Sequence, residues 1–325
     1  MTFRLFTRTL PYVAMRALVF LAFGMASILF VAVMLGIGFL ASSLAGGAGG
    51  VLVIVALVAL GGLWGLAKLA KRYLLYLVKI GHVAVVTELV VNGTLPEGAN
   101  QFTYGKDKVV RHFGGASALF AVDQVLSASV QQILSWLTSL GGGCLIRVPG
   151  LQALGAIARR VLSIAANYID EAVMSYILQR GDENVWQAAA DGVVLYAQSW
   201  KRLLTTAAVL AALVSAVWVV GFVLFLLAGL ATYPVFGGPA EMDRLAYGLI
   251  VALPALFLAS IFQWLLVDPL ATVAMVVTYN KAIAGQTPAV DLYAQLQGVS
   301  SSFRQLSERA VSARARSPQI VPSGE

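Results

Sequence analysis

A chain of 325 residues with 59% hydrophobic and 11% charged side chains falls outside the range of ordinary soluble domains. Its net charge of +7 does not argue for nucleic acid, because the basic residues cluster beside apolar segments, where they suit topology signals and anionic lipid headgroups. Cys144 is the single cysteine, which excludes an intrachain disulfide and a thiolate metal cluster; with only His82 and His112 available, no metal and no cofactor is expected.

The N-terminal unit, residues 1–92, is built on an uncharged run from Ala17 to Ala67. A helix crosses a ~30 Å hydrocarbon slab in about 20 residues, so this run accommodates two crossings. It is far longer than a signal-peptide core. One span is expected over Ala17–Leu40 and the return over Val51–Leu69, joined by a Gly/Ser turn within 41–50. Arg4, Arg8 and Arg16 precede the first span, and Lys68, Lys71, Arg72 and Lys79 lie at or after the end of the second. The positive-inside rule then puts both ends of the hairpin in the cytoplasm. Leu74, Leu77, Ile80, Val83, Val86 and Val90 continue the apolar pattern at helical spacing, an extension along the interface. Asn92-Gly93 stops it, and 93–105 reads as loop.

Residues 106–202 read as amphipathic helices at the cytoplasmic face. Gln124–Ile146 is uncharged but diluted by Gln131, Gln132 and serines, marginal as a lipid-exposed span and suitable as a packed helix. The competing arrangement has 116–140 crossing, with a return near 148–169 that buries Arg159 and Arg160 at a cost of several kcal/mol. Asp182-Glu183-Asn184 reads as a helix start, followed by the stripe Trp186, Ala189, Val193, Tyr196 and Trp200. The C-terminal hairpin, 203–286, has spans from Leu203 to about Leu230 and from Leu245 onward. The second is too long for one perpendicular crossing and must tilt, kink at Pro254 or Pro269, or continue inside. In 287–313, Leu292, Leu296, Val299, Phe303 and Leu306 step by four and three, the seam of a helix suited to self-association. Residues 314–325 read as a disordered tail. The expected fold is therefore all-α and polytopic, four transmembrane helices as two hairpins plus amphipathic helices. It sits in the cell membrane with both termini cytoplasmic.

The order of features then becomes informative. Arg111-His-Phe-Gly-Gly115 before an apolar helix, Ala166-Asn-Tyr-Ile169, the polar helix 183–200 and a long span follow one another. Leu266-Val-Asp268 before an apolar helix and Tyr279-Asn280 before an amphipathic one complete the series. This succession, over roughly residues 111–303, resembles the C-terminal half of the choline transporter-like family. The resemblance implies a helical membrane protein handling choline or a similar small organic cation. Members of that family are larger, with more spans, and Pro269 stands where they tend to have an uninterrupted helix.

Several residues could carry such chemistry. Asp268 among apolar neighbours suits a cation or proton site; counting about 20 residues inward from Leu245 ends near Trp264, which instead places Asp268 at the headgroups or as a local cap beside Pro269. Asp123 with Phe120 and Trp136, and the aromatic ring of Tyr168, offer the carboxylate and π-faces that a quaternary ammonium needs. A wet helix face and a membrane-interface aromatic belt explain the same residues without a ligand. His112 could handle protons, or sit in the headgroups beside Arg111. No nucleophile elbow, histidine–glutamate metal helix, phosphate loop or paired catalytic carboxylates stand out, so no enzyme activity is expected. The expected partners are the lipid bilayer with anionic headgroups, further copies of the chain and a small organic cation. The alternative function is a non-enzymatic membrane scaffold or partner subunit.

Overall fold

The computed structural model describes residues 2–44, 76–113, 116–142, 168–180, 184–233 and 244–316, with residues 58, 61, 62, 65 and 166 placed singly. Among the described residues every regular element is a helix, and there is no strand. In chain order the helices are α1 (Thr2–Arg8), α2 (Leu10–Leu44), α3 (Tyr76–Val91), α4 (Gln101–Phe113), α5 (Ala116–Gly142), α6 (168–179), α7 (Val185–Leu230), α8 (Arg244–Ile283), α9 (Val290–Val299) and α10 (Ser301–Arg316).

Two helices are long and apolar enough to cross a membrane, over Val185–Leu230 and Pro254–Ile283; the pair Thr2–Arg8 and Leu10–Ala22, bent by 62°, makes a third if counted as one broken span. By length and composition the chain is thus a membrane protein. The expected return span over 51–69 (apart from the four positions placed singly), the turn 45–50, the segment with Arg159 and Arg160, the loop 234–243 and the tail from 317 lie outside the described residues. α7 and α8 pack as an antiparallel hairpin: Trp218 donates its indole N–H to Ser260 Oγ at 3.1 Å, Phe225 meets Phe262 edge-on, and Gly221 lies against Ala259. The outward positions Val220, Leu224, Leu227 and Phe257 are more than half exposed, a surface suited to lipid.

A helix of 46 residues is roughly 69 Å long, about twice the hydrocarbon thickness, so α7 continues well beyond the membrane. Asn184 caps it, its side chain accepting the Trp186 N–H. The first half of α7 (Ala188–Ala197) and the second half of α8 (Val267–Val277) enter a shared core. α3 (Ile80, Val85), α5 (Leu126, Ile133) and α6 (Ile169, Ile177) complete it. The uncharged stretch 124–146 suits a packed helix, and α5 packs in that way. α5 and α6 bury their apolar faces against other helices, which removes more apolar area from water than contact with headgroups would.

Three expectations change. The polar helix and the following span are one helix, α7. The segment 93–105 is not all loop, because α4 begins at Gln101, where Asn100 accepts the Phe102 N–H at 2.9 Å. The seam expected to join two copies is two helices broken at Ser300, and Leu296, Phe303 and Leu306 are fully buried within the chain. Phe303 packs against Tyr293 at 5.4 Å, and Ser300 holds the joint by donating to Gln132 at 2.7 Å. Of the seam residues, Leu292 is half-buried and Val299 is 40% exposed.

α4 lies directly on α3. A Cβ on Gly105 would stand 2.6 Å from the Gly81 carbonyl oxygen, so only glycine permits this approach. Gly105→Ala is expected to lose about 1–3 kcal/mol of stability in detergent, whereas Gly298→Ala, with open space around it, loses nothing. Chemical unfolding of the two variants side by side checks this.

Candidate functional site

The most polar part of the interior lies where α2, α3, α6 and α8 meet. Asp268 sits about one helical turn past the point where a span begun at Leu245 would leave the hydrocarbon. It is 4% exposed. Arg16 Nη2 donates to Asp268 Oδ2 at 2.5 Å, Tyr168 donates its hydroxyl to Oδ1 at 3.1 Å, and Lys79 Nζ stands 3.6 Å from Oδ1. Lys79 also pairs with Glu171 and lies 5.4 Å from the centre of the Tyr168 ring. Thr272, one turn along α8 from Asp268, places its hydroxyl 2.7 Å from Glu171 Oε2.

Arg16 reaches a second partner, His82 Nδ1, at 3.0 Å. A guanidinium can only donate, so Nδ1 accepts and the imidazole carries its proton on Nε2. His82 is fully buried and stacks on the Tyr12 ring at 5.3 Å.

Beside this pairing stand two more carboxylates, outside the candidate spans. Ser127 donates to Asp170 Oδ2 at 2.8 Å. Asp123, one turn before Ser127 on α5, has the buried Tyr76 hydroxyl as its neighbour. Burial pushes the Asp170 carboxyl up to about 7, and the nearby Asp123 adds to the rise. Burial also raises Asp123, to about 6, against the lowering effects of Tyr76 and Lys79. Among the described residues, two cations (Arg16 and Lys79) thus stand with four carboxylates (Asp123, Asp170, Glu171 and Asp268). Fully ionised, the cluster would carry two uncompensated negative charges. It therefore favours holding protons or a further cation.

The structure brings Asp268, Tyr168 and Asp123 into this one neighbourhood, with Phe120 a turn from Asp123 and half-buried. It does not bring Trp136 there. Thirteen residues along α5, roughly 20 Å away, Trp136 lines an open groove of about 450 Å³ with Gln131, Gln132, Ser135 and Val299. His112 is also apart; its Nδ1 donates to the Lys108 carbonyl at 2.8 Å, a bond within α4.

Arg16, Lys79, Glu171, Asp170 and His82 were not singled out as site residues from the sequence. A usable signal was present for one of them, Arg16. Arg16 and Asp268 are charges set into apolar runs on different helices, and such charges are stable only if they meet. Among the described residues, no group of histidine, cysteine and carboxylate side chains is arranged to hold a metal ion.

Comparison with protein-family models, with curated proteins and with solved structures finds no match.

Two outcomes are expected. Arg16→Met leaves a buried carboxylate short of its closest partner, and should cost about 3–5 kcal/mol in chemical unfolding; adding Asp268→Leu should recover much of the loss. The second concerns pH. A carboxyl whose folded pKa is raised binds its proton more tightly in the folded state. Asp123 and Asp170 therefore contribute stability at low pH that declines as pH rises from about 4 to about 7. Melting temperatures measured at pH 5 and pH 7.5 should differ in that direction, and Asp170→Asn should shrink the difference.

Proposed function

We propose that this is a multi-pass membrane protein that handles a small cation at the Asp123–Asp170–Glu171–Asp268 cluster, with the helical bundle on the cytoplasmic side. The observation that carries the reading is the charge imbalance: among the described residues, four neighbouring carboxylates stand against two cations. Buried carboxylates without a full set of counter-charges are costly, and such groups mark candidate ion and proton sites. The resemblance to choline transporter-like proteins supports the same reading and names choline-like ammonium compounds as the substrate class. Tyr168 and Phe120 supply aromatic faces for such a group. Transport would proceed in an oligomer or through rearrangement of α5 and α6, since a few spans enclose little room for alternating access.

A second reading rests on a different observation. Asp268 is engaged by Arg16, Lys79 and Tyr168, so it ties four helices together. In that case the cluster is a structural knot, and the protein is a non-enzymatic scaffold or partner subunit. Copies would meet through outward residues such as Val290 (81% exposed) and Val311 (69%), not through the buried seam.

Reconstituted liposomes separate the two. Wild-type protein should accumulate labelled choline, or acidify or alkalinise the lumen when choline is added outside. Asp170→Asn should reduce the rate at least about tenfold while the fold persists by circular dichroism. Neither solute movement nor a pH change in the wild type would remove the cation reading and leave the scaffold.

A further inference from the structure

At the start of the chain, three elements are sewn together. α1 leaves the line of α2 at 62°. The break has a local cause: Pro11 lacks an N–H, so the helix cannot run through, and Thr9 closes the corner by donating both its N–H and its hydroxyl to the Phe6 carbonyl, at 3.1 and 3.0 Å. Arg8 then donates to the Gly93 carbonyl at 3.0 Å, and Gln101 donates to the Arg8 carbonyl at 2.8 Å. These bonds place α1, the turn after α3 and the start of α4 side by side.

α1 is two-faced. Leu5 and Thr9 are buried against the bundle, while Phe3 is 72% exposed with Arg4 and Arg8 on the same outward side. Adjoining it, Phe102 is 46% exposed and shares the outward line of α4 with Lys106 and with Val110, which is 51% exposed. Leu10, at the corner, is 46% exposed and begins the outward row that continues along α2 through Leu18 and Leu21, at 66% and 62%. The surface is thus continuous with the apolar flank of a helix that Leu10–Ala22 makes part of a candidate span. Its charge is predominantly basic: Arg4, Arg8, Lys106 and Arg111 face out, against Glu97 and Asp107.

Large apolar groups interleaved with guanidinium and ammonium groups, on a helix turned away from a span, match the chemistry of an anionic bilayer surface. Rings sink to the acyl boundary and cations take the phosphates. Phe3 and Phe102 expose large apolar area on elements that the Arg8 and Gln101 bonds join.

We propose that α1 and the outer face of α4 form a docking surface for anionic phospholipid headgroups, with Phe3 and Phe102 inserted and Arg4, Arg8 and Lys106 on the phosphates. The surface is independent of the cation cluster and of the function assigned to it. It fixes the N-terminal helix against the membrane from which the bundle projects.

The full chain in nanodiscs tests it. Discs of pure phosphatidylcholine are compared with discs containing phosphatidylglycerol. The wild type should melt several degrees higher in the anionic discs, and high salt should remove the difference. Arg4→Gln combined with Lys106→Gln should lose most of that gain while melting like the wild type in neutral discs; Phe3→Ser with Phe102→Ser should weaken the gain at low salt. Soluble glycerophosphate added to neutral discs should not reproduce the gain. A wild type indifferent to headgroup charge overturns the proposal, as does a double charge variant that responds like the wild type. A change of oligomeric state in the variants within neutral discs would assign the face to contact between copies and overturns it equally.

Discussion

A buried carboxylate on an apolar helix has few acceptable outcomes, and the fold is arranged around the one chosen for Asp268. Left alone in a low-dielectric interior, that charge would cost several kcal/mol. Arg16 meets it from α2, across 252 positions of sequence, at 2.5 Å. The pair commits two distant segments to one register: α2 must bring Arg16 to the depth of Asp268, and α3 must bring Lys79 and His82 to the same level. Tyr168 commits α6 as well. Non-directional apolar contacts could not fix four helices so closely, because sliding by a turn would exchange one Leu or Val for another. A misplaced guanidinium has no such substitute.

The same constraint accounts for the shape of α8. Pro254 and Pro269 sit inside a helix that nevertheless continues from Arg244 to Ile283. Proline removes a backbone donor, and the freed groups need partners from neighbouring helices. Beside Pro269, Thr272 of α8 itself lies within hydrogen-bonding reach of both the Asp268 carbonyl, at 3.0 Å, and Glu171 of α6. The irregular backbone and the ionic cluster therefore occupy one place, where polar side chains from α3 and α6 are already gathered.

Much of the architecture was legible in the sequence, because the strongest signals were long ones. The apolar runs of α7 and α8 exceed a bilayer's thickness whatever their neighbours do. The helix start at Asn184 follows from local chemistry, a side-chain oxygen placed to accept an N–H two residues on. What the pattern did not reveal was which surface each amphipathic face meets. Period and polarity are the same for a helix lying on lipid, pairing with another copy or packing inside its own chain. Phe303 and Leu306 satisfied the seam of a coiled coil and are instead fully buried beneath α5 and α7. The site was half legible for a related reason. Asp268 and Tyr168 were visible as unusual residues, whereas Arg16 and Lys79 were accounted for as topology signals, a role that left no reason to look for their partners.

The charges of the cluster fall into two groups. Arg16 neutralises Asp268 and Lys79 neutralises Glu171, so the knot that holds the helices is electrically complete. Asp123 and Asp170 are not needed for it. Asp170 accepts from a neutral donor, Ser127, and Asp123 has the neutral Tyr76 hydroxyl nearby, groups that tolerate a carboxyl in either protonation state. A purely structural cluster gains nothing from two further acids whose ionised forms are penalised by burial. A cluster that takes up and releases positive charge needs such groups: close to a fixed ionic frame, not consumed by it, and with a proton affinity near the pH of the cell. The division between a completed pair and an uncompensated pair is what separates the framework of this protein from its candidate machinery.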